Sequence, residues 1–90
     1  MNIITIEFCS QCRWMHRATW MMQELFTTFE QEVIEIRLRQ TAGGNFNIYV
    51  DDQLLFSRKE NGRFPEITEL KQLIRDQIAP DMSLGHSDKK

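Results

Sequence analysis

Cysteine, histidine and proline are scarce in this 90-residue chain, which has two of each. Glycine is little commoner, at four, and no Gly-, Pro- or Ser-rich stretch stands out as a linker. No internal repeat is visible, and the length suits one domain and not two. No apolar run approaches the roughly 20 residues needed to span a bilayer. Met1 and Asn2 lead straight into an alternating segment, with no basic start, apolar run and cleavage site, so a cytoplasmic protein without membrane attachment is expected. A net charge of -2 gives no general reason to expect nucleic acid as a partner. The basic pairs Arg58-Lys59 and Lys89-Lys90 are too short for such a footprint and read as solvated charge.

What is present is an ordered set of periodic segments. Ile4, Ile6 and Phe8 alternate with Ile3, Thr5 and Glu7, the pattern of a half-buried strand. From Arg13 to Phe29 the period becomes helical. Trp14, Ala18, Met21, Met22, Leu25, Phe26 and Phe29 form one apolar stripe, with Met15 at its edge. The methionines there read as core filler, not as a copper site or flexible groove. Residues 32–39 alternate again, with Ile34, Ile36 and Leu38 on one face. Strand, helix, strand in that order predicts a crossover between parallel strands. Phe46, Ile48 and Val50 mark a third strand and Leu54 to Ser57 a fourth, joined at Asp51-Asp52 as an antiparallel hairpin.

Asn61-Gly62 breaks the pattern. Pro65 then suits the first turn of a helix, with Glu66 and Glu69 complementing its positive end. Ile67, Leu70, Leu73, Ile74 and Ile78 give that helix an apolar face, and Pro80 stops it. The order is β-α-β-β-β-α. Each strand has one face more polar than the other, which favours a two-layer α/β (α+β) sandwich with a four-stranded mixed sheet and both helices on one side. The expected domain covers residues 1–80, and the polar remainder, 81–90, reads as a loose tail.

Both cysteines, Cys9 and Cys12, fall in the turn from the first strand to the first helix. A thiolate there faces unpaired backbone N–H groups and the positive end of the helix dipole, both of which lower a thiol pKa. Arg13 adds charge that favours the thiolate, and Arg17 lies nearby. Two intervening residues let one thiol attack a partner and the other resolve the mixed disulfide. A Cys-x-x-Cys placed by a βαβ pattern is a redox signal, and the bare tetrapeptide is a weaker one. Two rival readings exist. Cys9, Cys12 and His16 form a C-x₂-C-x₃-H string, but a structural zinc site needs a full tetrahedral ligand set, and the other histidine is His86 in the tail. Free cysteines are also often inert and buried, though a strand-to-helix corner is an unusual place for that. No metal and no organic cofactor is expected.

These residues resemble a known group. "IEFCSQCRW" (Ile6 to Trp14), "AGGNFNIYVDDQLLFSRKENGRFPE" (Ala42 to Glu66), "LKQLIRD" (Leu70 to Asp76) and "LGHSD" (Leu84 to Asp88) together resemble the selenoprotein W-like group of the SelT/SelW/SelH (Rdx) family, in its bacterial, cysteine-containing form. The resemblance implies a thioredoxin-like fold and a thiol–disulfide role, with glutathione as co-substrate. Selenium occupies the second position of the motif in selenocysteine-containing relatives, which matches Cys12 and implies that Cys12 attacks and Cys9 resolves. Thioredoxins proper use the first cysteine, which would be Cys9, and in a strand-to-helix corner the first cysteine is usually the more exposed. Thioredoxins also place a cis-proline in the loop facing the cysteines. Here that loop reads Thr41-Ala42-Gly43-Gly44-Asn45. Gly43 and Gly44 either admit a peptide or glutathione backbone or simply supply positive φ for a turn.

Trp20 falls off the apolar stripe, on the side of Arg13, His16, Arg17 and Gln23. An isolated exposed aromatic is common, but a basic-aromatic patch running from the cysteines suits a partner or homodimer contact. Glu7 could accept a thiol proton, although its strand parity suggests a solvated carboxylate. Two functions follow: a thiol–disulfide oxidoreductase acting on protein or low-molecular-weight thiols and disulfides, or a redox-dependent interaction module that binds without turnover.

Overall fold

Alternation in the first strand sorts its side chains as the pattern requires. In the computed structural model, which describes residues 1–88, β1 (Asn2–Cys9) buries Ile4, Ile6 and Phe8 on one face. β1 pairs in parallel with β2 (Val33–Thr41) and antiparallel with β3 (Phe46–Val50), which pairs antiparallel with β4 (Gln53–Ser57). The sheet is four-stranded, ordered β2-β1-β3-β4, and β1 is therefore flanked on both sides. Phe46, Ile48 and Val50 continue the buried face. Ala18, Met21 and Leu25 of α1 (Met15–Thr28) and Phe29 after it close over that face, together with Leu70 and Ile74 of a second long helix, Ile67–Ile78. Burying a side chain of this size fully contributes about 1.5–3 kcal/mol. This is the thioredoxin-like two-layer sandwich, with both long helices on one face of a mixed sheet.

The opposite face is polar, and its polar groups are paired. Glu7 accepts hydrogen bonds from Arg39 of β2 (3.0 Å) and Asn47 of β3 (3.1 Å). Thr5 is buried even so, because its strand lies inside the sheet.

Several local features differ from the sequence expectation. α1 starts at Met15, not Arg13, because Arg13 takes φ +62° and interrupts the helical path. Ile34 does not share the buried role of Ile36: a register shift between Asn2 and Ile3 passes over it and leaves it 63% exposed, while Val33 turns inward. The hairpin turn needs no glycine. Asp51 itself takes φ +54°, and its carboxylate accepts from the Ile3 amide (3.0 Å) and Asn2 Nδ2 (2.9 Å), which ties the turn to the start of β1.

A short helix, α2 (Arg58–Asn61), follows β4 directly where no helix is expected. Ser57 caps it by accepting from the Glu60 amide (3.3 Å), and Gly62, at φ +71°, ends it. In α3 (Ile67–Ile78), Pro65 lies just before the cap residue Glu66, not in the first turn, and Glu69 accepts from the Glu66 amide. The stretch expected as a loose tail over 81–90 makes specific contacts as far as Asp88. Met82 and Leu84 pack on the core, and Arg75 donates to the Met82 carbonyl (2.8 Å) and to Asp88 (3.0 Å). A 3₁₀ turn, Gly85–Asp88, completes this segment. The readings of Lys89-Lys90 and of the His86 side chain lie outside the described residues.

Candidate active site

The cysteine turn is held by the two strands that flank β1. Cys9 is the last residue of β1 and is paired in register with Thr41, the last of β2. Its amide donates to the Asn45 carbonyl (2.9 Å), and the Ser10 amide donates to the Thr41 carbonyl (3.3 Å). The Arg13 amide donates back to the Ser10 carbonyl (3.1 Å) and closes the turn. The sulfurs of Cys9 and Cys12 lie within bonding distance, with Cα atoms 5.3 Å apart, inside the usual range for a disulfide.

The two sulfur-bearing residues differ in access. Cys9 is 1% exposed, whereas Cys12 lies on the exposed side of the turn. This reverses the expectation that the first cysteine is the more open one. The reason is the sheet: a residue at the end of a central strand is covered from both sides, and the turn lifts Cys12 clear. The helix start also shifts the electrostatic picture. The first intrahelical bond of α1 runs from the Ala18 amide to the Trp14 carbonyl (3.0 Å). The unpaired amides therefore begin after Trp14, beyond Arg13, and no acidic residue occupies the first turn.

Trp14, the cap residue before α1, is the edge of an aromatic stack. Its ring meets Phe64 edge-on (4.8 Å between centroids) and Phe46 (6.3 Å), and those two phenylalanines meet each other at 5.3 Å. Arg17 sits over Phe64 at 3.9 Å, and Arg58 sits over Trp14 and Phe64 at 4.9 Å each. Arg58 is thus half-buried and stacked, not the solvated charge its basic neighbour suggests. Its Nε is buried without a hydrogen-bond partner. Phe64 and Arg58 carry no local signal of this role: both lie far along the chain from Trp14, and only the fold brings them to it.

The Gly43-Gly44 loop stands beside the cysteines through the Asn45 and Thr41 bonds. Both glycines take positive φ, +69° and +74°. A Cβ on Gly44 would meet nothing within 4 Å, so the turn conformation is what calls for glycine there. A Cβ on Gly43 would lie 3.7 Å from Lys59 Nζ, which brings that unanticipated ammonium to the same loop. His16, Arg17 and Trp20 lie on the exposed side of α1, where Trp20 is 48% and Met15 49% exposed. Glu7 is not simply solvated. Burial raises its pKa, but hydrogen bonds from Asn47, Arg39 and Tyr49 outweigh that and hold it below the usual range. Among the described residues no group of three or more His, Cys, Asp or Glu side chains is placed to hold a metal ion, and no helix is long and apolar enough to cross a membrane.

Comparison with known proteins agrees with this arrangement. Residues 3–76 match the Rdx family. The chain is similar to Migration and invasion enhancer 1 of Mus musculus (38% identity) and of Bos taurus (36%), each over 80% of this chain but 61% of the relative's own length. Among solved structures it is similar to a selenoprotein W-related protein from Vibrio cholerae, with a TM-score of 0.82 and 41% identity over 84% of this chain and 95% of the other. A protein from Bordetella parapertussis superposes with a TM-score of 0.83 and 42% identity over 86% and 98%. Family, fold and the paired cysteines fit a redox function. The chain belongs to the Rdx family and has the selenoprotein W-like fold.

Proposed function

We propose that the protein is a thiol–disulfide oxidoreductase in which Cys12 attacks and Cys9 resolves. The observation that carries this reading is the difference in access: an open Cys12 beside a covered Cys9 within bonding reach. The Cys12 thiolate attacks one sulfur of a substrate disulfide, forming a mixed disulfide and releasing the other half as a thiolate. Cys9, deprotonated in turn, attacks the Cys12 sulfur. That step closes the internal disulfide and releases the second substrate thiolate. The substrate gains two electrons and the protein loses the same two. External thiol, of which glutathione is the class expected in a reducing compartment such as the cytoplasm, returns the protein to the dithiol. Arg13, next to Cys12, supplies positive charge that favours its thiolate.

The test is trapping. Cys9→Ser should accumulate a mixed disulfide with glutathione disulfide, seen by mass spectrometry, and Cys12→Ser should not. The reverse pattern assigns attack to Cys9. Neither variant reacting would remove the exchange reading. A second reading, redox-dependent binding without turnover, draws on the exposed Trp20 and Met15 on the helix that follows the cysteine turn. Reduction of a test disulfide by glutathione at substoichiometric protein separates the two.

A further inference from the structure

The arginines and lysines of the described residues divide by place. Arg37 pairs with Glu35, Arg39 with Glu7, Arg63 with Glu69, Lys71 with Glu24, and Arg75 with Asp76 and Asp88. Arg13, Arg17, Arg58 and Lys59 have no carboxylate partner among the described residues, and all four surround the cysteine turn. Arg13 follows Cys12 directly. Arg17 and Arg58 lie over the Trp14–Phe64 stack. Lys59 reaches the Gly43 loop, which is bonded to Cys9 and Ser10. Glu60 is the one carboxylate on α2, and Glu7 is engaged by Arg39.

Part of the acidic charge lies at the other end of the molecule, although Glu66 and Glu69 follow the stacked Phe64, Glu69 paired with Arg63. Asp51 and Asp52 turn the hairpin at the opposite end of β1, roughly 25 Å away along an eight-residue strand. Glu30 and Glu32 lie at that same far end, where the Asn2 amide donates to the Glu32 carbonyl. A chain of net charge -2 therefore presents an electropositive rim at its sulfurs. Stacking leaves the N–H edges of an exposed guanidinium such as that of Arg17 free for carboxylates.

Resting on the exchange reading above, we propose that this rim docks an acidic polypeptide segment whose cysteine is presented to Cys12. Extent favours a polypeptide over a small anionic thiol. Half-exposed Trp20, three residues past Arg17 and on the same side of α1, extends the face along the helix by about 4–5 Å beyond that arginine. Tryptophan and arginine are residues that anchor protein interfaces.

The experiment uses the full reduced chain carrying Cys9→Ser, so that exchange stops at the mixed disulfide. The probes are peptides with a central cysteine activated as a neutral 2-pyridyl disulfide, flanked by Asp and Glu or by Lys. Hydroxyethyl disulfide and glutathione disulfide serve as small neutral and small anionic references. At low salt the acidic peptide should react about tenfold faster than the basic one, and the ratio should collapse in about 1 M salt. Arg17→Gln combined with Lys59→Gln, both at exposed positions, should reduce the ratio severalfold. Equal rates, or a ratio untouched by the double substitution, overturn the proposal. So does a preference for glutathione disulfide over hydroxyethyl disulfide as large as that between the peptides, which would assign the rim to small anionic thiols. If no probe reacts, the exchange reading fails. Docking is then judged by anisotropy of a labelled acidic peptide with serine for cysteine: salt-sensitive binding that the double substitution removes supports it, and absence of binding overturns it.

Discussion

The guanidinium of Arg58 lies 4.9 Å from the centre of the Trp14 ring and the same distance from that of Phe64. Arg58 comes from α2, after the last strand, and Trp14 is the cap residue just before α1, two positions past Cys12. The contact therefore joins two distant parts of the chain at the edge of the cysteine turn.

Removing that contact should be measurable. Arg58→Ala loses both the cation–π attraction and the packing of the arginine stem, and should cost about 1–2 kcal/mol in denaturant unfolding. Arg58→Lys should recover part of it. A cost within about 0.5 kcal/mol, the range of ordinary surface changes, would mean that the stack does not hold the turn.

Trp20→Ala should leave stability within about 0.5 kcal/mol, since the side chain is half open and off the apolar stripe. Phe29→Ala, in the buried cluster at the end of the same helix, should cost about 3–5 kcal/mol. Equilibrium unfolding of both variants checks the phase of α1 directly, and capture of partner or self-association by Trp20→Ala should weaken without that loss.

Glu7 gives a pH prediction with a definite sign. Its folded pKa lies below the ordinary value of 4.5, so its contribution is fully present above that value and is lost as pH falls through the lower, folded one. Glu7→Gln should lower stability at neutral pH and make the acid-side decline shallower, without abolishing it. Asp51, Glu69 and Asp88 are likewise depressed, through hydrogen bonds from Ile3, Arg63 and Arg75, and keep part of the slope. Melting temperatures of wild type and variant between pH 2.5 and 7, a window around the ordinary carboxylate pKa of about 4, test it. Parallel curves would show that Glu7 does not contribute.

Ile34→Thr should change stability by about 0.5 kcal/mol or less, because the bulge leaves Ile34 in solvent. Ile4→Ala, at the centre of the sheet, should cost about 2–5 kcal/mol. Unfolding midpoints at unchanged denaturant dependence decide both.

Ile34 also shows where the sequence stops being legible. Alternation finds the strands, and a one-residue bulge keeps the strand while changing which side chains face inward. The helical stripe of α1 is readable down to Phe29 because its period is long and uninterrupted. Its start is not, since the positive φ of Arg13 is a backbone choice that no residue type announces there. Cys9, Cys12 and the glycine loop are legible from spacing and order. Arg58, Phe64 and Lys59 are not: their places at the site depend on tertiary contact between the ends of the fold. The burial of Cys9 depends likewise on β1 becoming an inner strand.

That burial has a mechanical consequence. Cys9 is fastened to the sheet by its own amide and by strands on either side, while Cys12 hangs on a turn closed by one backbone hydrogen bond. One sulfur is a fixed post and the other the end of a short arm. On the exchange reading, the segment least tied to the sheet as that bond is made and broken is the turn from Ser10 to Arg13, while Cys9 stays fastened to the layers beneath. Under that reading a small core, which has little stability to spare, would host the exchange at its rim without opening.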